Sequence, residues 1–289
     1  MKKYEGVMKK MRRLKYERLR QMVYNEELRA AYLCSSVTGG ELKGRNVLVT
    51  GGNGGIGSAI AMRFLCEGCN VTITGRSEEK LKNTVEYIKS KIQDAPVDYI
   101  LADQASEESI YNCMNELDKR GLRMDILVNN AGICSDVDRA RRFRTVNQDE
   151  FYTVWNTNYN GTVKITNAIA KRMVDSDIDG AIINIASICA YFRKFQYTPY
   201  GMSKAAVIAF SDELRKFYPS LNISTIAPGS VATTMGDINI KFGDNIARNC
   251  NTLHHLALPE EIAALAAFLA GSVGKTINQT VIASACEVL

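Results

Sequence analysis

Residues 46–67 decide the fold, and they read Asn-Val-Leu-Val-Thr-Gly-Gly-Asn-Gly-Gly-Ile-Gly-Ser-Ala-Ile-Ala-Met-Arg-Phe-Leu-Cys-Glu. The β-branched run at 47–50 predicts a short buried strand, and the apolar spacing over 58–67 predicts a helix. Between them lies a glycine-rich turn. A strand, a glycine turn and a helix in this order direct backbone N–H groups and the positive end of a helix dipole toward a phosphate. A glycine-rich turn without a ligand is the alternative.

The same order of strand and helix repeats along the chain. Apolar runs at 70–74, 97–101, 125–129 and 180–186 predict further strands, with helices at 77–92 and near 106–120. Strands that alternate with helices predict a parallel sheet covered on both faces. Ligands of such sheets bind at the carboxyl ends of the strands, where Asp103 and Gln104 are expected.

Residues 187–204 contain a serine, a tyrosine and a lysine at a spacing that suits catalysis. Tyr200 and Lys204 are four residues apart, so on a helix they share one face. A neighbouring cation lowers the pKa of a phenol from about 10 by roughly 1 to 3, which makes a tyrosine a usable general acid or base. Ser187 follows a predicted strand, so its hydroxyl is expected where it can hydrogen-bond a substrate carbonyl. Chance spacing of tyrosine and lysine is the alternative, and the other motifs decide between the two.

Basic residues are concentrated near the N-terminus. Residues 1–45 contain 12 Lys and Arg against 5 Glu, whereas residues 46–289 contain 24 basic and 26 acidic residues. Apolar residues at helical spacing predict a basic amphipathic helical extension over 1–43, followed by the main domain over 44–289. Packing of its apolar stripe on the domain or on a second subunit is favoured over contact with a membrane surface or a protein partner. Nucleic acid binding is not expected, because no recognition motif accompanies the charge.

Cysteine and targeting patterns exclude several classes. No signal peptide and no apolar run of about 18 residues is evident, which predicts a cytoplasmic protein. The one close cysteine pair, Cys66 and Cys69, has no second pair beside it, and the two histidines are the neighbours His254 and His255. Gly68 indicates that this pair ends a helix, whereas a redox pair lies at a helix N-terminus. We predict no metal site and mostly buried cysteines.

Arg76 bears on the cofactor. An acidic residue at the end of the second strand accepts hydrogen bonds from the ribose of NAD, whereas an arginine there pairs with the 2′-phosphate of NADP. Gly75 and Arg76 occupy that junction. The sequence therefore predicts NADP(H) in preference to NAD(H), and a surface arginine without a ligand is the alternative.

Six motifs in this order resemble the classical short-chain dehydrogenase/reductase family over about residues 44–284, and the chain is similar overall to 3-oxoacyl-carrier-protein reductases. The resemblance implies one doubly wound Rossmann-type α/β domain, with a mainly parallel sheet of about seven strands and helices on both faces. Gly54 also satisfies the extended branch of the family, but the Asn-Asn-Ala-Gly and Pro-Gly turns favour the classical branch. The motifs are Thr50-Gly51-x-x-x-Gly55-x-Gly57, Asn129-Asn130-Ala131-Gly132, Asn158 in Asn-Tyr-Asn-Gly161, Ser187, Tyr200-x-x-x-Lys204, and Pro228-Gly229 with Thr233.

The resemblance also implies a role for each residue. Tyr200 would pass a proton to or from the substrate oxygen while a hydride moves between nicotinamide C4 and the carbonyl carbon. Lys204 would lower the pKa of the tyrosine and hold the nicotinamide ribose. Ser187 would polarise the carbonyl, and Asn158, at an irregularity in its helix, would hold a water that links Lys204 to solvent. The residues expected to line the cofactor are Thr50, Gly51, Asn53, Gly55, Ile56, Gly57, Arg76, Asp103, Asn130, Gly132, Tyr200, Lys204, Pro228, Gly229 and Thr233.

The sequence thus predicts an NADP-preferring oxidoreductase that acts on a small carbonyl or alcohol and assembles as a homo-dimer or tetramer. One alternative is a catalytically quiet dinucleotide-binding or scaffold protein that uses the basic arm. The other is a sugar-nucleotide epimerase of the extended branch. The intact set of Ser187, Tyr200, Lys204 and Asn158 argues against the quiet protein.

Departures from the family pattern concern substrate and assembly. Asp175, Asp177 and Asp179 stand where carrier-protein-dependent reductases have basic residues, and an acidic patch would repel an acidic carrier. The sequence at 282–287 replaces the family's terminal glycine pair, which puts the usual tetramer in doubt. Residues 234–257 match the region that closes over substrate. Four arginines near the mouth of the expected cleft could meet a substrate carboxylate or phosphate, or form a solvated surface: Arg139, Arg141, Arg142 and Arg144.

Overall fold

The computed structural model describes residues 36–134, 147–191, 198–233, 257–277 and 279–283. Within these residues, seven parallel strands form one sheet. They are β1 (Asn46–Thr50), β2 (Asn70–Gly75), β3 (Val97–Leu101), β4 (Ile126–Asn129), β5 (Ala181–Ile185), β6 (Asn222–Pro228) and β7 (Thr280–Ala283). Their order in the sheet is β3-β2-β1-β4-β5-β6-β7.

Helices cover both faces of this sheet. The helices are α1 (Gly55–Cys66), α2 (Glu78–Lys91), α3 (Glu107–Lys119), α4 (Gln148–Trp155), α5 (Gly161–Asp175), α6 (Thr198–Phe217) and α7 (Pro259–Ala270). A π-helical turn (Asn156–Asn160) joins α4 to α5, and short 3₁₀ turns lie at Ile188–Ala190 and Gly274–Thr276. Buried side chains of α1, α2 and α7 form the core on one face, and those of α3, α5 and α6 form the core on the other.

Alternation along β1 shows how one strand serves both cores. Val47 and Val49 belong to the core beneath α1 and α7, and Leu48 belongs to the core beneath α5 and α6. All three side chains are at most 1% exposed. Strands buried on both faces are typical of parallel sheets in α/β proteins. The predicted Rossmann-type fold, with seven parallel strands and helices on both faces, is confirmed.

The sheet order places a crevice beside β1. This strand pairs with β2 on one side and with β4 on the other. The chain leaves β1 for α1 on one face, and it leaves β4 for α4 and α5 on the opposite face. Loops that diverge in this way open a crevice at the carboxyl ends of the strands, which is the ligand site of doubly wound sheets.

The segment before β1 is packed onto the end of α1. Glu67 accepts hydrogen bonds from the Ser36 hydroxyl (2.6 Å), the Val37 amide (2.9 Å) and the Thr38 hydroxyl (2.6 Å). Its carboxylate also lies 3.0 Å from the Nε of buried Arg63. These partners hold the pKa of Glu67 below its ordinary value although burial acts in the opposite direction. Most of the predicted extension over 1–43 lies outside the described residues, so the extension and the domain boundary stay predictions.

The described cysteines differ in part from expectation. Cys69 and Cys113 are buried, but Cys134 and Cys189 are half-buried and Cys66 is exposed. Burial raises the pKa of Cys69 to about 12 and that of Cys113 to about 11, so both stay as thiols at neutral pH. The prediction of mostly buried cysteines was therefore wrong for Cys66, because the last turn of α1 presents this position to solvent.

The described residues also bear on metal sites and membrane spans. Among them, no three or more His, Cys, Asp or Glu side chains gather as metal ligands would, and the absence of a metal stays a prediction. None of the helices in this part of the chain is both long and apolar enough to cross a membrane.

Candidate active site

Tyr200 and Lys204 lie on adjacent turns of α6, as their spacing predicts. The Nζ of Lys204 is 5.8 Å from the centre of the Tyr200 ring. Lys204 is 4% exposed, and its Nζ donates a 2.8 Å hydrogen bond to the Ile185 carbonyl at the end of β5. Burial lowers the pKa of Lys204 from 10.5 to about 8, although the nearby Cys134 and Cys189 act in the opposite direction. The site thus holds an ammonium that titrates close to neutral pH.

Asn158 lies at the centre of the π-helical turn and is fully buried. Its side chain accepts a hydrogen bond from the Ile133 amide (2.8 Å) and donates to the Ile133 carbonyl (2.9 Å) and to the Ser203 hydroxyl (3.0 Å). A Cβ on Gly132 would lie 3.3 Å from both Asn158 Oδ1 and Lys204 Nζ. The loop after β4, the π-turn and α6 therefore meet at one point. π-turns within helices occur frequently at functional sites.

Ser187 lies just beyond the carboxyl end of β5 and is 7% exposed. Its hydroxyl accepts a 3.1 Å hydrogen bond from the Cys189 amide, which fixes it at the start of a 3₁₀ turn. A Cβ on Gly201 would be 2.7 Å from the Cys189 carbonyl oxygen, so glycine lets α6 pack closely against this turn. Ser187 lies two residues after Ile185, whose carbonyl holds Lys204. It therefore shares the sheet edge with the tyrosine and the lysine.

The glycine turn after β1 is held to the loop after β4. The Thr50 hydroxyl accepts hydrogen bonds from the backbone amides of Asn130 and Ala131, both at 3.0 Å. The Asn130 side chain donates to the carbonyls of Thr50 (2.9 Å) and Gly51 (3.1 Å). A Cβ on Gly57 would lie 2.3 Å from the Gly51 carbonyl oxygen, which leaves space for hydrogen alone. Thr50 and Asn130 thus shape the turn rather than project from it.

The start of α1 suits a phosphate group. No side chain caps α1, and its first turn contains no acidic residue. By contrast, α2, α3 and α4 each have a Ser or Asn cap and two acidic residues in the first turn. Uncapped N–H groups at the positive end of a helix dipole bind anions. These residues fit the pyrophosphate of a dinucleotide.

The other predicted cofactor residues lie around the same crevice. Thr233 approaches the start of α1, since a Cβ on Gly55 would be 2.7 Å from its methyl group. The Asn53 side chain covers Gly75 at the end of β2, and the exposed Arg76 follows directly.

The Asp103 carboxylate accepts a hydrogen bond from the Ala105 amide in the turn after β3. Ile56 packs on the core, Pro228 ends β6, and the Gly229 amide donates to the end of β7.

The structure brings together Asn158, Lys204 and Tyr200, with Ser187 beside them, and gathers the cofactor candidates along the same sheet edge. Arg139, Arg141, Arg142 and Arg144 lie outside the described residues, as does most of 234–257. Sequence reasoning placed Gln104 at the ligand-binding edge of the sheet without a specific role, and it did not single out Ser203, although both bond the π-turn. Neither side chain gives a sequence signal of its own, because its partner on the π-turn is far away along the chain.

The match to known proteins agrees with this geometry. A family model described as short chain dehydrogenase matches residues 45–241. The chain belongs to this family. The matched residues include the glycine turn, the π-turn and helix α6, and with them every candidate catalytic residue.

Relatives of this short-chain dehydrogenase carry out reductions and oxidations. The 3-oxoacyl-[acyl-carrier-protein] reductase of Chlamydia trachomatis is 32% identical over 84% of this chain and 96% of its own length. The L-rhamnose 1-dehydrogenase (NADP(+)) of Thermoplasma acidophilum is 31% identical over 79% of this chain and 90% of its own. A solved structure of actinorhodin polyketide ketoreductase with NADPH has a TM-score of 0.76 at 25% identity, covering 83% of this chain and 96% of that one. The family supports an oxidoreductase that uses a nicotinamide cofactor.

Proposed function

We propose that this short-chain dehydrogenase interconverts an alcohol and a ketone or aldehyde, with Tyr200 as proton donor or acceptor and with NADP(H) preferred. The observation that carries the proposal is the meeting of Tyr200, Lys204, Ser187 and Asn158 at the crevice beside β1. A bound nicotinamide supplies or accepts the hydride. The protein then has to hold the carbonyl and move one proton.

Each of the four side chains has a distinct role in this mechanism. The Tyr200 hydroxyl gives its proton to the substrate oxygen during reduction and takes it back during oxidation. Ser187, fixed by the Cys189 amide, orients its hydroxyl toward the same oxygen and stabilises developing negative charge. The Lys204 ammonium favours the ionised form of the tyrosine. Asn158 fixes the loop after β4 beside Lys204 and would hold a water in the route of the proton to solvent.

Cofactor residues divide into those that shape the site and those that contact the ligand. Uncapped amides at the start of α1 would hold the pyrophosphate. Gly51, Gly55 and Gly57 let the turn pack closely against Ala131, Thr233 and its own backbone. Asn53, Asp103, Gly132, Thr233 and the Pro228-Gly229 turn would line the remainder of the cleft. Arg76 would pair with a 2′-phosphate because it is exposed at the end of β2.

The substrate proposal stays broad. Relatives include carrier-protein-dependent reductases, and the acidic residues at 175–179 were predicted to repel an acidic carrier. Two of these carboxylates are paired: Asp175 with Lys171 at 2.6 Å and Asp179 with Lys275 at 2.5 Å. Exposed pairs of this kind reduce the local negative field, so the repulsion is weaker than the sequence alone predicts. The homo-oligomer and the cytoplasmic location stay predictions.

A panel of carbonyls with NADPH, followed by nicotinamide absorbance, tests the activity. It includes neutral ketones and aldehydes, β-keto thioesters, and acidic and phosphorylated compounds. We expect cofactor oxidation with at least one class. NADPH binding without turnover of any member would favour the catalytically quiet alternative, and indifference to substrate charge would discard substrate recognition by Arg139, Arg141, Arg142 and Arg144.

Replacing Arg76 with alanine tests the cofactor preference. We expect the Kd of NADPH to rise by about 10-fold or more and that of NADH by less than about 2-fold, because the charge-assisted pair forms with the 2′-phosphate alone. Calorimetric titration of both cofactors measures this. Arg123→Ala, an exposed arginine before β4 at the other edge of the sheet, is the matched control and should change neither value. Equal wild-type affinities for the two cofactors would refute the proposed preference.

A further inference from the structure

The Gln104 side chain connects the loop after β3 to the π-helical turn. Its Nε2 donates hydrogen bonds to the Thr157 carbonyl (3.1 Å) and to the Thr162 hydroxyl (2.9 Å). The Thr162 hydroxyl in turn donates to the carbonyl of Asn158 (2.9 Å). A π-turn disturbs the regular pairing of helical carbonyls, and buried carbonyls need donors from elsewhere. Gln104 supplies the Thr157 carbonyl with a side-chain donor beside the candidate catalytic asparagine.

The loop after β3 and the start of α5 also make a close contact. A Cβ on Gly161, the first residue of α5, would lie 2.1 Å from the Gln104 carbonyl oxygen and 2.3 Å from its Cγ. Glycine is therefore required for the loop and the helix to meet at this distance. Gln104 is itself 6% exposed, so it is enclosed where it crosses between the two elements.

Burial of the Gln104 amide is energetically unfavourable on one side. Its Oε1 is buried and has no hydrogen-bond partner in the part of the chain that the structure describes. An apolar side chain of similar length would fill the space without a buried, unpaired acceptor. Packing alone therefore does not account for a glutamine, whereas the two bonds from Nε2 do.

We infer that Gln104 is a positioning residue for Asn158: by holding the π-turn it fixes the amide that bonds Ile133 and Ser203 beside Lys204. The inference rests on the proposed function for its effect on turnover. Gln104 also directly follows Asp103, a candidate cofactor residue. The loop after β3 that contains both residues is therefore connected to the π-turn that contains Asn158. Gln104 acts through Asn158 and does not contact the reacting atoms.

Gln104→Met keeps the length of the side chain and removes its donors. We expect kcat to fall by about 10- to 100-fold, because small displacements of catalytic groups have effects of this size. The decisive measurement is a double-mutant cycle with Asn158→Ala. If Gln104 acts through Asn158, Gln104→Met lowers kcat in the wild-type background and has less than about a 2-fold effect in the Asn158→Ala background.

A second measurement is independent of turnover. The Ile133 amide donates to Asn158 Oδ1 at 2.8 Å, so its hydrogen exchange reports the position of the asparagine. We expect Gln104→Met to accelerate exchange at Ile133 by about 10-fold or more relative to the amides of β4. If no carbonyl is reduced by the wild type, the proposed function fails and this exchange measurement still tests the inference.

Asn222→Met is the matched control. Asn222 is another buried side-chain amide, and its Nδ2 donates to the Leu269 carbonyl at 2.7 Å. It begins β6, at the edge of the sheet opposite the site. This variant should lose stability while kcat and the relative exchange at Ile133 stay within about 2-fold of wild type. Additive losses of kcat in the cycle, or unaltered exchange at Ile133 in Gln104→Met, would overturn the inference.

Discussion

Replacing Tyr200 with phenylalanine is expected to lower kcat by at least about a thousandfold and to change the Kd of the cofactor by less than about threefold. The substitution removes one oxygen and leaves the ring in place on α6. Without the hydroxyl, the proposed mechanism has no proton donor for the substrate oxygen. Ser187 can still hydrogen-bond that oxygen, but an ordinary serine hydroxyl does not release its proton at neutral pH.

Steady-state absorbance gives kcat, and quenching of protein fluorescence gives cofactor affinity. Tyr218→Phe is the control: this tyrosine follows α6, packs edge-on against Phe217, and should retain kcat within about twofold. A loss of turnover with intact cofactor binding would assign the proton step to Tyr200. Residual activity of Tyr200→Phe within tenfold of wild type would make the proposed mechanism wrong.

Local sequence patterns were sufficient to predict most of the fold. The β-branched run before the glycine turn and the apolar spacing after it act over a few residues, and both predicted elements are present. β1 begins one residue before the predicted strand, and α1 begins three residues before the predicted helix and ends one residue before it. The strand predicted at 97–101 has those bounds, and the predicted strand at 70–74 extends by one residue to Gly75. Patterns of this kind fail mainly at element ends, where capping geometry decides the boundary.

The candidate site was predictable only in part, because its contacts join distant parts of the chain. The spacing of Tyr200 and Lys204 predicts a shared face, and the structure has that face. The spacing does not predict that the Ile185 carbonyl holds Lys204, nor that Gln104 holds the turn containing Asn158. The irregularity at Asn158 entered through the family resemblance. Roles that depend on such long-range bonds require the sheet order.

Lys204 is expected to destabilise the fold at neutral pH through its charge. Folding moves its ammonium from water into a site that is 4% exposed, and the pKa falls from 10.5 to about 8. When folding lowers the pKa of a base, it penalises the charged form. The penalty is complete below about pH 8 and disappears as the pH rises toward 10.5, where the unfolded lysine also loses its proton. A shift of this size corresponds to on the order of 3 kcal/mol.

Lys204→Met should change how stability depends on pH, because it removes this penalty. It should also abolish turnover, because no ammonium then remains beside Tyr200. Between pH 7 and pH 10, we expect the wild type to gain on the order of 3 kcal/mol in free energy of unfolding relative to the variant. The comparison uses this relative change, because methionine also leaves the Ile185 carbonyl without its donor at every pH. Urea unfolding at several pH values measures it. Titrating groups that do not interact with Lys204, such as Cys69 and Cys113, affect both proteins alike and cancel in the difference.

Lys216→Met separates burial from the removal of a lysine. Lys216 is exposed on the same helix and is paired with Glu213, which raises its pKa. Between pH 7 and pH 10, the wild type should gain no free energy of unfolding relative to Lys216→Met. Any small change in this difference should be a loss for the wild type. A pH-independent difference between wild type and Lys204→Met would contradict a buried, charged lysine. The expected result would show that burying the Lys204 ammonium beside Tyr200 lowers stability at neutral pH.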